Sequence, residues 1–284
     1  MAKKPTTRHT DQHRAVIKLL ESFRPRHQLW RVWEDFVAAA ACSLSAAVEP
    51  ARKAAREKHY GEIAKRYNRE ELSAFAECLA YTAEALEVRH QDFLGNLYMS
   101  LDLGNKHRGQ FFTPYEVCQL MARIQLAADW ESEVESKGFI TVMDPCIGGG
   151  AMLIALAEMF RESQIPTSRA LHVVGVDIDI TAVHMAYVQL SLLYVPAVIL
   201  HGSSLAASPY AGWSTDSAWR TPAHCLNHWD RRLWERDQRE MAAATAEAAA
   251  ESVPLVSSTC ASTSNALAAT DAAQLSLLAT LEQA

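Results

Sequence analysis

The sequence predicts an α/β fold, a partial parallel sheet preceded by a helical region, and three observations predict it. A short apolar run, Ile140–Met143, ends in Asp144-Pro145 and passes through Cys146, Ile147 and the glycines Gly148, Gly149 and Gly150 into the helical stretch opening at Ala151. A second apolar run, His172–Val176, ends in the acids Asp177 and Asp179. Helical spacing over Ala151–Glu162 and Thr181–Tyr194 alternates with these runs and leads to a third at Ala197–Leu200. Strands buried on both faces read as uninterrupted apolar runs. Right-handed crossovers between such strands make the sheet parallel, with its ligand at the carboxyl edge.

The remaining elements follow in order. Residues 1–10 read as a disordered tail and residues 11–105 as a helical region. Val16, Leu19, Leu20 and Phe23 mark one helix, and Trp30, Trp33, Phe36 and Val37 a second. A charged helix runs from beyond Pro50 toward Tyr67, and Leu72, Phe75, Leu79 and Leu86 mark another. The Trp and Phe stripe reads as core rather than as a platform for stacked bases. Residues 106–235 form the α/β core, with a helix over Tyr115–Ala128 ahead of the first strand. After Leu205 the alternation stops. Residues 206–235 are rich in tryptophan (Trp213, Trp219, Trp229, Trp234) and show no clear strand, so the sheet is expected to end at its third strand. An open apolar edge invites aggregation, and the tryptophan-rich segment is the candidate cover for the edge of the first strand. Residues 236–284 are an Ala/Ser/Thr-rich extension, with helices expected over Met241–Glu251 and Ala272–Glu282 and a linker over Ser257–Asn265.

Composition narrows the function. With 284 residues, about half of them apolar, the chain can bury one large core. Six cysteines without paired spacing point to a reducing, cytoplasmic compartment. A basic start followed by Pro5-Thr6-Thr7 is no secretory leader, and no apolar run approaches the roughly 20 residues of a membrane helix. The net charge of −6 is uneven: residues 1–110 carry 18 Lys/Arg against 14 Asp/Glu, and residues 111–284 carry 9 against 19. The basic cluster Arg52, Lys53, Arg56, Lys58, Lys65, Arg66 and Arg69 could be a nucleic-acid footprint, but interleaved Glu57, Glu62, Glu70 and Glu71 favour a solvated helix face.

Glycines at a strand-to-helix turn allow close backbone approach and aim N–H groups at a nucleotide-type ligand. Asp144, Gly148 and Gly150 are therefore candidate ligand contacts, and Asp177, at the tip of the second strand, is the candidate acceptor for a ribose hydroxyl pair. Asp179 reads as the cap of the next helix. A nicotinamide site fits less well: Leu153 stands where the last glycine of Gly-x-Gly-x-x-Gly belongs, and Asp177 lies 33 residues after Asp144, not about 20. Cys146 reads as a lining thiol. His224, Cys225 and His228 form no complete metal-ligand set, so no metal is expected.

Together with Arg108-Gly109-Gln110-Phe111-Phe112-Thr113-Pro114 upstream and Asp92-Phe93-Leu94-Gly95-Asn96-Leu97-Tyr98 before it, this order of motifs resembles the N6-adenine DNA methyltransferases. It is most similar to the modification subunits of type I restriction-modification systems, over roughly residues 88–205. The resemblance implies a partial Rossmann-like class I methyltransferase core, S-adenosylmethionine as cofactor and DNA as partner, with a specificity or second methylase subunit possible beside it. It implies cofactor contacts from Phe112, Thr113, Pro114, Asp144, Pro145, Gly148, Gly150, Asp177 and Ile178. Ser203 stands where the family usually has an Asp that accepts from the cofactor's adenine amine. The family's catalytic Asn/Asp/Ser-Pro-Pro-Tyr/Phe is missing, since the chain has no Pro-Pro pair. The nearest remnant is Ala207-Ser208-Pro209-Tyr210. The catalytic residues are thus unknown, and the alternative is a catalytically impaired relative acting as a binding regulator, partner subunit or restriction decoy.

Overall fold

The structure is a computed structural model that describes residues 7–101, 103, 112–126, 129–205 and 218–251. The chain divides into two compact units, Met1–Glu235 and Arg236–Ala284. In the second, the described residues continue helix α12 (Trp229–Glu251). The first unit holds everything below. Among the described residues no helix is long and apolar enough to cross a membrane.

Five helices lead the chain: α1 (Thr7–Glu21), α2 (Leu29–Val48), α3 (Lys53–Ala64), α4 (Arg69–Val88) and α5 (Phe93–Ser100). Helix α1 opens inside the expected tail, at Thr7, and its Val16 and Leu20 are fully buried. Asn68 starts α4 with a capping box: its side chain accepts from Glu71 N while the Glu71 carboxylate accepts from Asn68 N. Phe23 stacks on Phe75 at 5.2 Å and meets Tyr67 edge-on at 5.9 Å, so the aromatic stripe is core. Trp33 and Phe36 are buried too, whereas Trp30 is half exposed.

The basic cluster is largely neutralised. Arg66 pairs with Asp35 at 2.6 Å, Lys65 with Glu62 at 2.7 Å, and Arg52 with Glu49 at 3.4 Å. Arg56 is buried, with its guanidinium 3.3 Å from the centre of the Trp219 ring.

Next come α6 (Tyr115–Gln125), α7 (Trp130–Lys137), β1 (Ile140–Asp144), α8 (Ala151–Glu162), α9 (Thr167–Ala170), β2 (Leu171–Asp177), α10 (Ile180–Leu192) and β3 (Ala197–His201). The three strands are parallel, in the order β1-β2-β3. Helix α10 packs between α2 and the sheet, and every residue from Thr181 to Ser191 is buried. Burial on all sides explains why its sequence shows no polar face.

The sheet does not stop at β3, which corrects the expectation from sequence. A short strand β4 (Ala218–Arg220) pairs antiparallel with Val198–Leu200. Tertiary contacts hold it: Arg56 Nη2 donates to Ala218 O at 3.1 Å, and the Trp219 ring meets His184 at 4.7 Å and Tyr187 at 5.3 Å. Thr221 then caps α11 (Pro222–Leu226). The tryptophans divide their roles. Trp229 packs edge-on against Phe139, just ahead of β1, at 5.0 Å, whereas Trp219 lies at the opposite edge of the sheet and Trp234 is largely exposed. Trp213 lies outside the described residues. Helix α12 begins at Trp229, well before the expected Met241. The helix expected at Ala272–Glu282 and the linker at Ser257–Asn265 also fall outside the described residues.

His224 Nδ1 lies 3.0 Å from His172 Nε2, and its Nε2 lies 3.1 Å from Asp230 Oδ1. Both ring nitrogens thus tie α11 to β2 and α12.

Gly175 interrupts the apolar run of β2 for a packing reason. A Cβ there would sit 2.1 Å from Ile147 Cδ1, and Ile147 N donates to Val176 O at 3.0 Å. The glycine lets the Asp144–Gly150 loop lie down on β2. Gly175→Ala should cost about 1–3 kcal/mol by overpacking and weaken ligand binding by lifting the loop; a urea midpoint equal to wild type would refute this.

Candidate cofactor site

At the carboxyl ends of β1, β2 and β3 lies a cavity of about 990 Å³. This is at the upper end of the usual range for small-molecule sites. Its floor is the loop after β1. Gly148 (φ 53°) and Gly150 (φ 93°) both take left-handed backbone conformations that other residues adopt only with strain. A Cβ on Gly148 would come within 3.2 Å of the Phe112 ring, so the aromatic closes directly over the glycine.

Asp177 organises the centre. Its Oδ2 accepts from Gly148 N and its Oδ1 from Asp179 N, each at 2.9 Å. The tip of β2 is thereby fastened to both the glycine loop and the turn into α10. Asp179 caps α10 by accepting from Thr181 N at 2.9 Å. Asp144 Oδ1 accepts from Cys146 N at 3.0 Å. Burial raises the Asp144 carboxyl above its usual range, the Cys146 hydrogen bond opposes this, and the charge of Asp177 adds to it.

Behind the loop stands a second, fully buried support. Gln189 Nε2 donates to Gly149 O at 2.8 Å and to Asp92 Oδ1 at 2.9 Å, while its Oε1 accepts from Leu94 N at 2.9 Å. Asp92 also caps α5 by accepting from Gly95 N. The lead-in segment Asp92–Tyr98 thus braces the glycine loop from inside.

Burial pushes the Asp92 carboxyl up, against the hydrogen bonds from Gln189 and Gly95. A raised folded-state pKa means that the native state holds the proton more tightly. Its stability contribution is therefore greatest below the unfolded value of about 3.9 and is lost as pH rises through the folded value. Asp92→Asn keeps an acceptor and should be more stable than wild type at pH 7 but not near pH 4, as read by urea midpoints at both. A gap that narrows toward pH 7 would contradict this sign.

Of the residues expected to hold the cofactor, Phe112, Thr113, Asp144, Pro145, Gly148, Asp177, Ile178 and Ser203 line the cavity. Pro114 and Gly150 do not. Pro114 starts α6 and faces a smaller polar hollow beside Tyr115 and Glu158. Gly150 starts α8 and packs against Ala186, where a Cβ would lie at 3.4 Å. The remnant Ala207–Tyr210 lies outside the described residues, as does Arg108–Phe111. The motifs missed Glu34, Cys118, Met152 and His201, which also line the cavity. Cys118 and Met152 follow from the packing of α6 on α8; Glu34 had no sequence signal.

The electrostatic character is plain. Glu34, Asp144, Asp177 and Asp179 line the cavity, and the described lining includes no Lys or Arg. Such a wall suits a ligand with cationic groups and hydroxyls and disfavours a pyrophosphate, which argues against a nicotinamide dinucleotide.

The sequence pattern of the N-6 DNA methylase family matches residues 89–253. The chain belongs to this family. S-adenosylmethionine, the cofactor that an N-6 DNA methylase implies, carries a sulfonium and an ammonium, and the acidic lining fits both. No curated protein matches the sequence. A solved chain from Listeria monocytogenes, described as a candidate class I S-adenosylmethionine-dependent methyltransferase, is 14% identical, with a TM-score of 0.40. The alignment covers 70% of this chain and 56% of that chain, so this protein spans little more than half of its length.

Proposed function

We propose that this protein binds S-adenosylmethionine in the acidic cavity and serves methyl transfer to the N6 amine of adenine in DNA. The observation that carries the reading is four carboxylates, with no lysine or arginine among the described lining residues, around the end of a glycine loop. Asp177 would take the ribose, the Asp144–Gly148 loop the methionine portion, and Phe112 and Thr113 would close over it. Ile178, three-quarters exposed beside Asp177, offers an apolar face to the adenine ring, and Ser203 a polar edge. When bound, the cofactor supplies an electrophilic methyl group. The protein's part is to hold it in line with the incoming amine, where orientation alone can lower a barrier by about 7–11 kcal/mol.

A flipped adenine also needs an acceptor for its amino hydrogens and an aromatic surface to stack on. The described cavity lining offers no Asn or Gln, and the chain lacks a Pro-Pro pair. We therefore place this protein in a restriction-modification setting, in the cytoplasm, where a specificity or second methylase subunit completes the site. The test combines calorimetry with S-adenosylhomocysteine and transfer of labelled methyl to unmethylated genomic DNA, with and without candidate partner subunits. Cofactor binding, with labelling only when the partner is present, is the expected result. Strong labelling by the chain alone would show that it carries its own base acceptor, and binding without labelling in any mixture would favour the impaired relative. No binding would overturn the proposal.

A further inference from the structure

Glu34 lies outside residues 89–253, which match the family, yet its carboxylate lines the cavity from α2. It shares the cavity lining with the tip of β2 and the turn into α10, and it feels the negative charge of Asp179 there. The oxygens of the two acids on that turn are already engaged: both of Asp177 in accepting backbone N–H groups, and Oδ1 of Asp179 in capping α10. Glu34 is in a different position. Its Oε2 accepts from the exposed Arg31 Nη1 at 3.2 Å, and its Oε1 accepts no hydrogen bond from a described residue. Burial raises its carboxyl above the usual range. The protein thus places a partly buried carboxylate, with one oxygen accepting from no described residue, in the wall of the cavity that Asp177 and Asp179 also line.

We infer that Glu34 is a specificity-determining residue of the cofactor site, accepting a hydrogen bond from a ribose hydroxyl so that Asp177 and Glu34 divide the diol between them. This rests on the S-adenosylmethionine reading above. The helical region then supplies one wall of recognition, and the cofactor site is composite.

The full chain is tested by competition against labelled S-adenosylhomocysteine, using 5′-methylthioadenosine and its 2′,3′-dideoxy counterpart. Glu34→Ala should weaken methylthioadenosine by roughly tenfold or more, the scale of a charge-assisted hydrogen bond, and leave the dideoxy compound unchanged. Glu34→Gln, which keeps an acceptor oxygen, should lose less. Because Glu34 is partly exposed, both variants should fold, as circular dichroism will report. Equal weakening of both compounds would overturn the inference by showing a packing effect, and no weakening of either would overturn it by showing no contact. If the wild type fails to bind S-adenosylhomocysteine, the underlying reading falls as well. If binding is lost in Asp177→Ala but kept in Glu34→Ala, only this inference falls.

Discussion

Gln189→Leu should produce the largest loss of stability, about 2–6 kcal/mol, because it orphans two buried groups at about 1–3 kcal/mol each. The substitution keeps the site filled but strips three hydrogen bonds at once, leaving Leu94 N and Gly149 O without the side chain that satisfies them and Asp92 with one donor fewer. All of these residues are buried, and an unpaired buried polar group is costly. The loss would be a large fraction of the roughly 5–15 kcal/mol that holds a domain together. Urea denaturation measures it directly, and a loss below about 1 kcal/mol would mean that the network can re-form around the leucine. Cofactor affinity should fall in parallel, because Gly149 is held from behind by the same side chain.

The largest effect on binding is expected from Asp177→Ala. One carboxylate sets the glycine loop and the α10 turn in place and faces the cavity, so its removal strikes both the ligand contact and the shape of the floor. Loss of the ligand hydrogen bond alone should cost about 1.5–3 kcal/mol, or roughly ten- to a hundredfold in affinity, and loosening of the loop adds to it. Asp177→Asn should rescue only in part, because an amide presents a donor to one of the two backbone N–H groups that now find an acceptor. Calorimetry with S-adenosylhomocysteine decides it: an unchanged dissociation constant in Asp177→Ala would remove Asp177 from the site.

Much of this arrangement was legible in the sequence. The strand, glycine loop and helix over Ile140–Glu162 could be read because a buried parallel strand is a plain apolar run and the glycines mark where it turns. Asp144, Gly148 and Asp177 could be picked out from the same local pattern, whereas Phe112 and Thr113 were expected only from the resemblance of their segment to the methyltransferases. What escaped depends on distant partners. The strand at Ala218–Arg220 is three residues with no alternation, and it exists because Arg56, 162 positions away, binds its backbone. Glu34 enters the cavity only because α2 packs on α10, which nothing in its own neighbourhood announces. The early start of α12 was hidden by the polar stretch Asp230–Glu240, where ion pairs one turn apart such as Arg231–Glu235 support the helix without an apolar stripe.

Helix α10 carries a consequence for the modularity of this protein. One of its flanks rests on the sheet and the opposite flank on α2, and apolar side chains face both. Residue 89, where the match to the family begins, is therefore no physical seam. The helices before it and the strands after it share one interior. The helix that α2 packs on is also the one whose Gln189 holds Gly149, so the leading helices are part of the scaffold of the glycine loop and not an independent cassette.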